Sequence, residues 1–204
     1  MKKEKKDIGN KEAVELIPLK KVRMIVKIKG VTSLLMEKMD NAVVEMYDKK
    51  KGRKMIQKDT RLEIEKVDGK IHHTEDGNVG FPVAGFLKGM DSVARDRNEI
   101  VPISGKQLRG SVRILGNIIP IDYKEQKINE AWGKSSGATG APRKICRPEF
   151  TDWSCDLEIL YSQNTISPEE IINTLNWAGF YMGLGAWRPE KGGSYGQYEV
   201  VLGD

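Results

Sequence analysis

Along Lys21-Val-Arg-Met-Ile-Val-Lys-Ile-Lys29, polar and apolar positions alternate. Val22, Met24, Val26 and Ile28 fall on one side, Arg23, Lys27 and Lys29 on the other, and Ile25 breaks the pattern. A period of two marks a half-buried strand, so the segment predicts a strand with a basic outer face, ended by Gly30. Val31–Met39 reads as a short helix capped by Thr32 or Ser33, with Leu34, Leu35 and Met39 beneath it. Residues 82–95 switch to helical spacing: Val83, Phe86, Leu87, Met90, Val93 and Ala94 recur at i, i+3, i+4, i+7. Pro82 suits the first position of that helix, and Gly85 and Gly89 suggest close backbone packing. Residues 101–121 read as extended segments, broken by a hairpin signal at Gly116-Asn117.

Residues 133–144 are small and mildly basic and read as an exposed loop. Cys155–Tyr161 reads as a strand with Leu157, Ile159 and Tyr161 on one face. Ser167-Pro-Glu-Glu170 is the strongest local signal: an N-cap, a proline at N1 and the Glu of a capping box. The helix it opens is expected to bury Ile171, Ile172, Leu175, Ala178 and Phe180, and to end at Gly183. Gln197–Leu202 closes the chain as a strand. Between the first strand and the first long helix, Arg61–Val67 and Lys70–Thr74 alternate like a hairpin inside a polar insertion at 48–79. The order fits an α+β, ferredoxin-like (RRM-like) domain: an antiparallel sheet, helices on one face, and an inserted β-hairpin. The expected division is a flexible basic arm over 1–20 and a single domain over 21–204.

The composition narrows the class. The chain has 204 residues, 39% of them hydrophobic and 31% charged, enough apolar side chains for a core. No run approaches the roughly 18–20 apolar residues of a membrane span, and no apolar stretch follows the charged N-terminus as in a secretory signal. Two cysteines, Cys146 and Cys155, make no disulfide framework, and a reducing cytoplasm is the expected compartment. The net charge of +5 is uneven. Residues 1–58 carry 17 Lys/Arg and 8 Asp/Glu, a net of +9, and the remainder carries 17 and 21, a net of −4. A concentrated basic field attracts polyanions.

Candidate chemistry centres on Gly183-Leu-Gly185-Ala-Trp-Arg-Pro-Glu-Lys-Gly192-Gly193-Ser-Tyr-Gly196. Five glycines allow positive φ and close approach to a ligand. Exposed N–H groups with Arg188 and Lys191 suit phosphate, and Trp187 and Tyr195 suit stacking on unpaired bases. The stretch follows a helix and precedes a strand, so it is neither a Walker loop nor a dinucleotide fingerprint. An ordinary turn explains the glycines as well. Further basic candidates are Lys27 and Lys29; the run Lys49, Lys50, Lys51, Arg53 and Lys54; Lys106, Arg109 and Arg113; and Arg143 and Lys144, with Arg147 close by. Trp132 and Trp153 suit core anchoring better than stacking.

A glycine-rich loop between the last helix and last strand of such a fold, with the opening Ile28-Lys-Gly-Val-Thr-Ser-Leu-Leu-Met36, resembles the RAMP superfamily, the RNA-binding subunits and processing nucleases of CRISPR systems. The resemblance covers residues 21–40 and 150–202. It implies binding of RNA or single-stranded DNA along a basic surface, head-to-tail oligomerisation along the strand, other subunits of a ribonucleoprotein complex as partners, and a thumb-like role for 48–79. Only one half-domain is visible, which argues against a nuclease. The closing pattern Trp187 to Gly196 is also similar to uncharacterised phage and prophage proteins, for which a structural or assembly role through protein contacts is the alternative. A metal-independent ribonuclease using His72 or His73 is a third reading, although a polar hairpin would expose both. The spacing of the cysteines favours no metal site, and no cofactor, metal or membrane partner is expected.

Overall fold

In the computed structural model, the described residues are 18–41, 44–45, 61–97, 99–134, 140 and 142–202. The basic run Lys49, Lys50, Lys51, Arg53 and Lys54, and most of the N-terminal arm, lie outside them. Nine strands and three α-helices are described. The strands are β1 (Lys21–Gly30), β2 (Leu34–Leu35), β3 (Gly80–Pro82), β4 (Val112–Ile114), β5 (Ile118–Pro120), β6 (Glu125–Lys134), β7 (Pro142–Thr151), β8 (Ser154–Ser162) and β9 (Tyr198–Val201). The helices are α1 (Val83–Asp96), α2 (Gly105–Ser111) and α3 (Pro168–Tyr181).

The main sheet has the order β4-β8-β1-β9, and every neighbour is antiparallel. Taking β1, α1, β4, β8, α3 and β9 as the six units of a βαββαβ fold, the first and third strands lie at the centre and the second and fourth at the edges. That is the ferredoxin-like arrangement, and it rests on the connectivity of this chain alone. Val26 and Ile28 from β1, with Cys155, Leu157, Ile159 and Tyr161 from β8, are buried with Phe86, Met90, Val93, Ile171 and Leu175 in one cluster. Gly89 lets α1 approach α3: a Cβ there would sit 3.5 Å from that of Ala178. The other sheet face is open. Arg23, Ile25, Lys27 and Lys29 are exposed on it, so the basic outer strand face is observed, and Ile25 lies on it 74% exposed. Among the described residues no helix is long and apolar enough to cross a membrane.

Several local expectations are corrected. Residues 31–39 form no helix. Leu34–Leu35 pairs with Phe150 and Glu149 of β7 instead, and the carbonyls of Ser33 and Leu35 accept bonds from the glycine-rich loop, which a helix would have kept for itself. The hairpin over 61–67 and 70–74 is replaced by two 3-10 turns, Ile64–Lys66 and Asp68–Lys70. The helical-type spacing won there: Val67 and Ile71 are both buried, and Glu63 pairs with Lys66 at 3.1 Å and Lys70 at 3.5 Å. The inserted hairpin forms one step later, where His73 bridges Val79 around the Asp76-Gly77 turn. Residues 105–111 are α2, not extended, because Ser104 accepts a cap bond from Gln107 N at 3.1 Å. Gly116-Asn117 joins strands of two different sheets rather than a hairpin. Of the loop expected at 133–144, residues 133–134 and 142–144 belong to the paired strands β6 and β7, and residues 135–139 and 141 lie outside the described residues. The capping box at Ser167 forms as read, with bonds of 3.1 and 2.8 Å to and from Glu170, but Phe180, expected on the buried face of α3, is exposed.

Candidate nucleic-acid interface

The stretch Gly183–Gly196 folds as a braced platform between α3 and β9. Gly183, Gly185, Gly192 and Gly196 have φ of 65°, 72°, 75° and 69°, a region open to glycine at no steric cost. Leu184 N donates to Gly196 O at 2.9 Å, Ala186 N to Leu35 O at 2.8 Å, Gly196 N to Ser33 O at 2.8 Å, Gly193 N to Arg188 O at 3.2 Å, and Tyr195 N to Trp187 O at 3.1 Å. A Cβ on Gly185 would fall 2.1 Å from Leu35 O, and one on Gly193 1.8 Å from Trp187 O. The expectation that these N–H groups stand free for phosphate is therefore corrected at 184, 186, 193, 195 and 196. The loop offers side chains.

Trp187 is the chief of these. It adopts a φ of 51° without being glycine, a strained conformation of the kind that gathers at functional sites, and it is 39% exposed. The Arg147 guanidinium lies 5.3 Å from its ring centroid, within cation–π range. Arg147 is 6% exposed. Its Nε donates to Glu37 Oε2 at 2.9 Å and its Nη2 pairs with the same oxygen at 2.9 Å. Its Nη1 is buried and has no partner among the described residues. Tyr195 lies 6.5 Å from Trp187 between ring centroids, and its hydroxyl accepts from Asn129 Nδ2 at 3.2 Å. Arg188 is bound inward: Nη1 donates to Gly185 O at 2.8 Å and Nε to Glu190 Oε2 at 2.8 Å. Lys191 is exposed.

Beside this platform lies a cleft of about 430 Å³, lined by Glu37, His72, Lys88, Trp187, Arg188 and Lys191 among others. His72 was expected in an exposed hairpin. The hairpin around Asp76-Gly77 instead sets it half-buried in the cleft wall, its ring 6.2 Å from Phe81, while His73 is exposed. Burial is the main cause that holds the His72 imidazole below its usual pKa, with Lys38 and His73 adding to it. Glu37 and Lys88 had no motif to mark them: only the fold carries α1 and the segment after β2 to the same cleft.

The other candidate residues are distributed. Lys27 and Lys29 stand on the open sheet face, opposite Asp156 and Glu199 respectively. Arg113 shares that face by register and donates to Arg109 O and Val112 O. Lys106 and Arg109 are on α2, and Arg109 is paired with Asp91. Helix α2 bonds to Thr165, just beyond the far end of β8. The eight steps of β8 separate that end from the glycine-rich loop by about 26 Å at ~3.3 Å per residue. Arg143 pairs with Glu63, and Lys144 with Glu130 at 2.7 Å; the latter pair stands beside the 75% exposed Trp132. The fold thus brings Trp187, Arg188, Lys191 and Tyr195 together and leaves Lys106, Arg109 and Arg113 at the opposite end. Trp153, by contrast, is fully buried. Among the described residues no group of three or more His, Cys, Asp or Glu could hold a metal, and both cysteines are buried thiols.

No family model matches the chain, and no curated protein matches it. Solved structures are similar to it, among them these two. One is a chain of the type III-B Cmr-beta structure bound to cognate target RNA, at 15% identity and a TM-score of 0.49 over 90% of this chain. The other is Cmr6 from Pyrococcus furiosus, at 9% identity and a TM-score of 0.40 over 90% of this chain and 100% of that one. This chain spans 60% of the Cmr-beta chain's length. The fold assignment rests on the strand order of this chain.

Proposed function

We propose that this protein binds RNA or single-stranded DNA without cutting it, as a subunit that lines up in copies along the strand. The observation that carries the proposal is the braced glycine-rich loop. It presents Trp187, backed by the Arg147 cation, beside Tyr195 and a cleft bearing Lys88 and Lys191. Aromatic faces beside cations are what unpaired bases and their phosphates need. Lys27 and Lys29 on the open sheet face, and the basic run at 49–54, supply further phosphate contacts. The exposed Ile128 and Trp132 on β6 support contacts between copies or with other subunits.

The test is fluorescence anisotropy with a labelled 20-nucleotide single-stranded RNA and its DNA equivalent. Micromolar or tighter affinity that falls steeply with added salt is expected. Replacing both Trp187 and Lys191 by Ala weakens it about tenfold or more, since stacking alone is worth about 1–3 kcal/mol per base. A chain that ignores both strands at low salt refutes the proposal.

One observation favours a second reading. His72 lines the same cleft as Lys88 and Lys191, where a neutral imidazole has the protonation state of a general base. A metal-independent ribonuclease predicts cleavage of bound RNA in EDTA that is lost in His72→Ala. Intact RNA after prolonged incubation retains the binding role alone.

A further inference from the structure

Two irregularities meet at Trp187, which lines the cleft. Trp187 is held at a φ of 51°. Beneath it Arg147, 6% exposed, keeps a buried Nη1 with no partner among the described residues. A buried polar group without a partner is unusual enough to need a reason. A third feature is opposite in sign to a phosphate site. Glu37 also lines the cleft, its side chain 46% exposed. Both contacts from Arg147 reach its Oε2, which leaves Oε1 as an acceptor. A carboxylate repels phosphate, but it accepts well from two neighbouring N–H groups.

Resting on the nucleic-acid reading above, we infer that the cleft beside Trp187 receives a single unpaired guanine base and gives the protein a preference for it. Guanine is the base whose pairing edge offers adjacent donors, N1–H and the N2 amino group, to one carboxylate, followed by the O6 acceptor. Glu37 supplies the carboxylate through Oε1, whose two lone pairs can accept both N–H groups while Oε2 stays with Arg147. Lys88 and Lys191, on the same cleft, supply ammonium donors suited to O6. The exposed Trp187 face supplies the stacking surface, and Arg147 beneath both fixes Glu37 and supports the ring. Adenine, cytosine and uracil cannot give a carboxylate two donors from that edge, so Glu37 discriminates against them. A specific polar contact of this kind is lost, not merely weakened, when the ligand lacks the matching group.

The experiment compares ten-nucleotide uridine RNAs carrying one central guanine, adenine, cytosine or inosine, titrated by anisotropy at one salt concentration. The guanine strand should bind about tenfold tighter than the adenine, cytosine and all-uridine strands, in line with the discrimination of a good bidentate base contact. Inosine, which lacks the N2 amino group, should fall between. Glu37→Gln should erase most of the guanine advantage. The inosine comparison uses the unaltered protein and decides the matter even if that variant folds poorly. Measurable but equal affinity for all strands overturns the guanine pocket and leaves nucleic-acid binding standing. No binding to any strand overturns both.

Discussion

Gly196→Ala and Gly192→Ala form a pair that isolates what the glycine-rich loop is for. Both residues have positive φ, 69° and 75°, so each substitution incurs about 1–2 kcal/mol for placing a Cβ in the left-handed region. Their surroundings differ. At Gly192 a Cβ meets nothing within 4 Å, whereas at Gly196 it falls 1.9 Å from Leu184 O. That carbonyl belongs to backbone and cannot swing away. Relief requires parting the Leu184–Gly196 and Gly196–Ser33 hydrogen bonds, each 2.9 or 2.8 Å long and each worth about 0.5–1.5 kcal/mol net. Strain less the ~0.4–1 kcal/mol gained by restricting the unfolded chain leaves about 1 kcal/mol for Gly192→Ala, and the two hydrogen bonds raise Gly196→Ala to about 2–4 kcal/mol. Urea unfolding followed by tryptophan fluorescence reads the difference. With a slope of about 2 kcal/mol per molar, the midpoint should drop by about 1–2 M for Gly196→Ala and about 0.5 M for Gly192→Ala. Equal drops would refute the view that the loop is a braced platform, and would restore the simpler one in which its glycines serve only a bend.

Other outcomes follow from single sites. Trp153 is fully buried, and its Nε1–H donates to Thr32 O at 2.9 Å; Trp153→Ala should destabilise by about 3–5 kcal/mol, read as a large fall in the urea midpoint, and a change under 1 kcal/mol contradicts that anchoring role. The His72 pKa lies below its usual value in the folded state, so the unfolded chain binds the proton more readily. His72 therefore costs nothing well above pH 6.5, and lowers stability as pH falls through 6.5 toward the folded pKa. His72→Gln should lose less stability than the unaltered protein between pH 7.5 and 5.5; an identical pH dependence rules out the burial argument. Burial pushes the Cys155 thiol up to about 12, and Cys146 is 1% exposed, so a thiol-specific colorimetric reagent should modify neither cysteine in the native protein and both in denaturant.

Much of the framework was legible in local chemistry. The two-residue period of β1 announced both its buried and its basic face, since a single strand's pleat decides them. Ser167 and Glu170 announced α3 because a capping box is complete within four residues. The failures share a physical cause. Thr32, Ser33, Leu34 and Leu35 satisfy helical propensity locally, yet the Ser33 and Leu35 carbonyls accept from the glycine-rich loop, the Thr32 hydroxyl accepts from Gln197 N, and Leu34–Leu35 pairs with β7, all about 115 to 165 residues away. The β6–β7 hairpin was hidden because Glu125–Lys134 buries little on either face and so carries no strong period. In the candidate site, Trp187, Lys191 and Tyr195 sit within nine residues of one another and were visible as a motif. His72, Glu37 and Lys88 reach the cleft through three separate elements, so no spacing in the sequence links them.

The central claim is that a nucleic-acid strand lies on the glycine-rich loop. Photo-crosslinking with a 4-thiouridine-labelled single-stranded RNA, followed by mass spectrometry of the adducts, tests it most directly. Adducts at Trp187 or Tyr195 that disappear on competition with unlabelled RNA are the expected result. Specific adducts confined to α2 around Lys106 and Arg109, at the opposite end of the sheet, would contradict it.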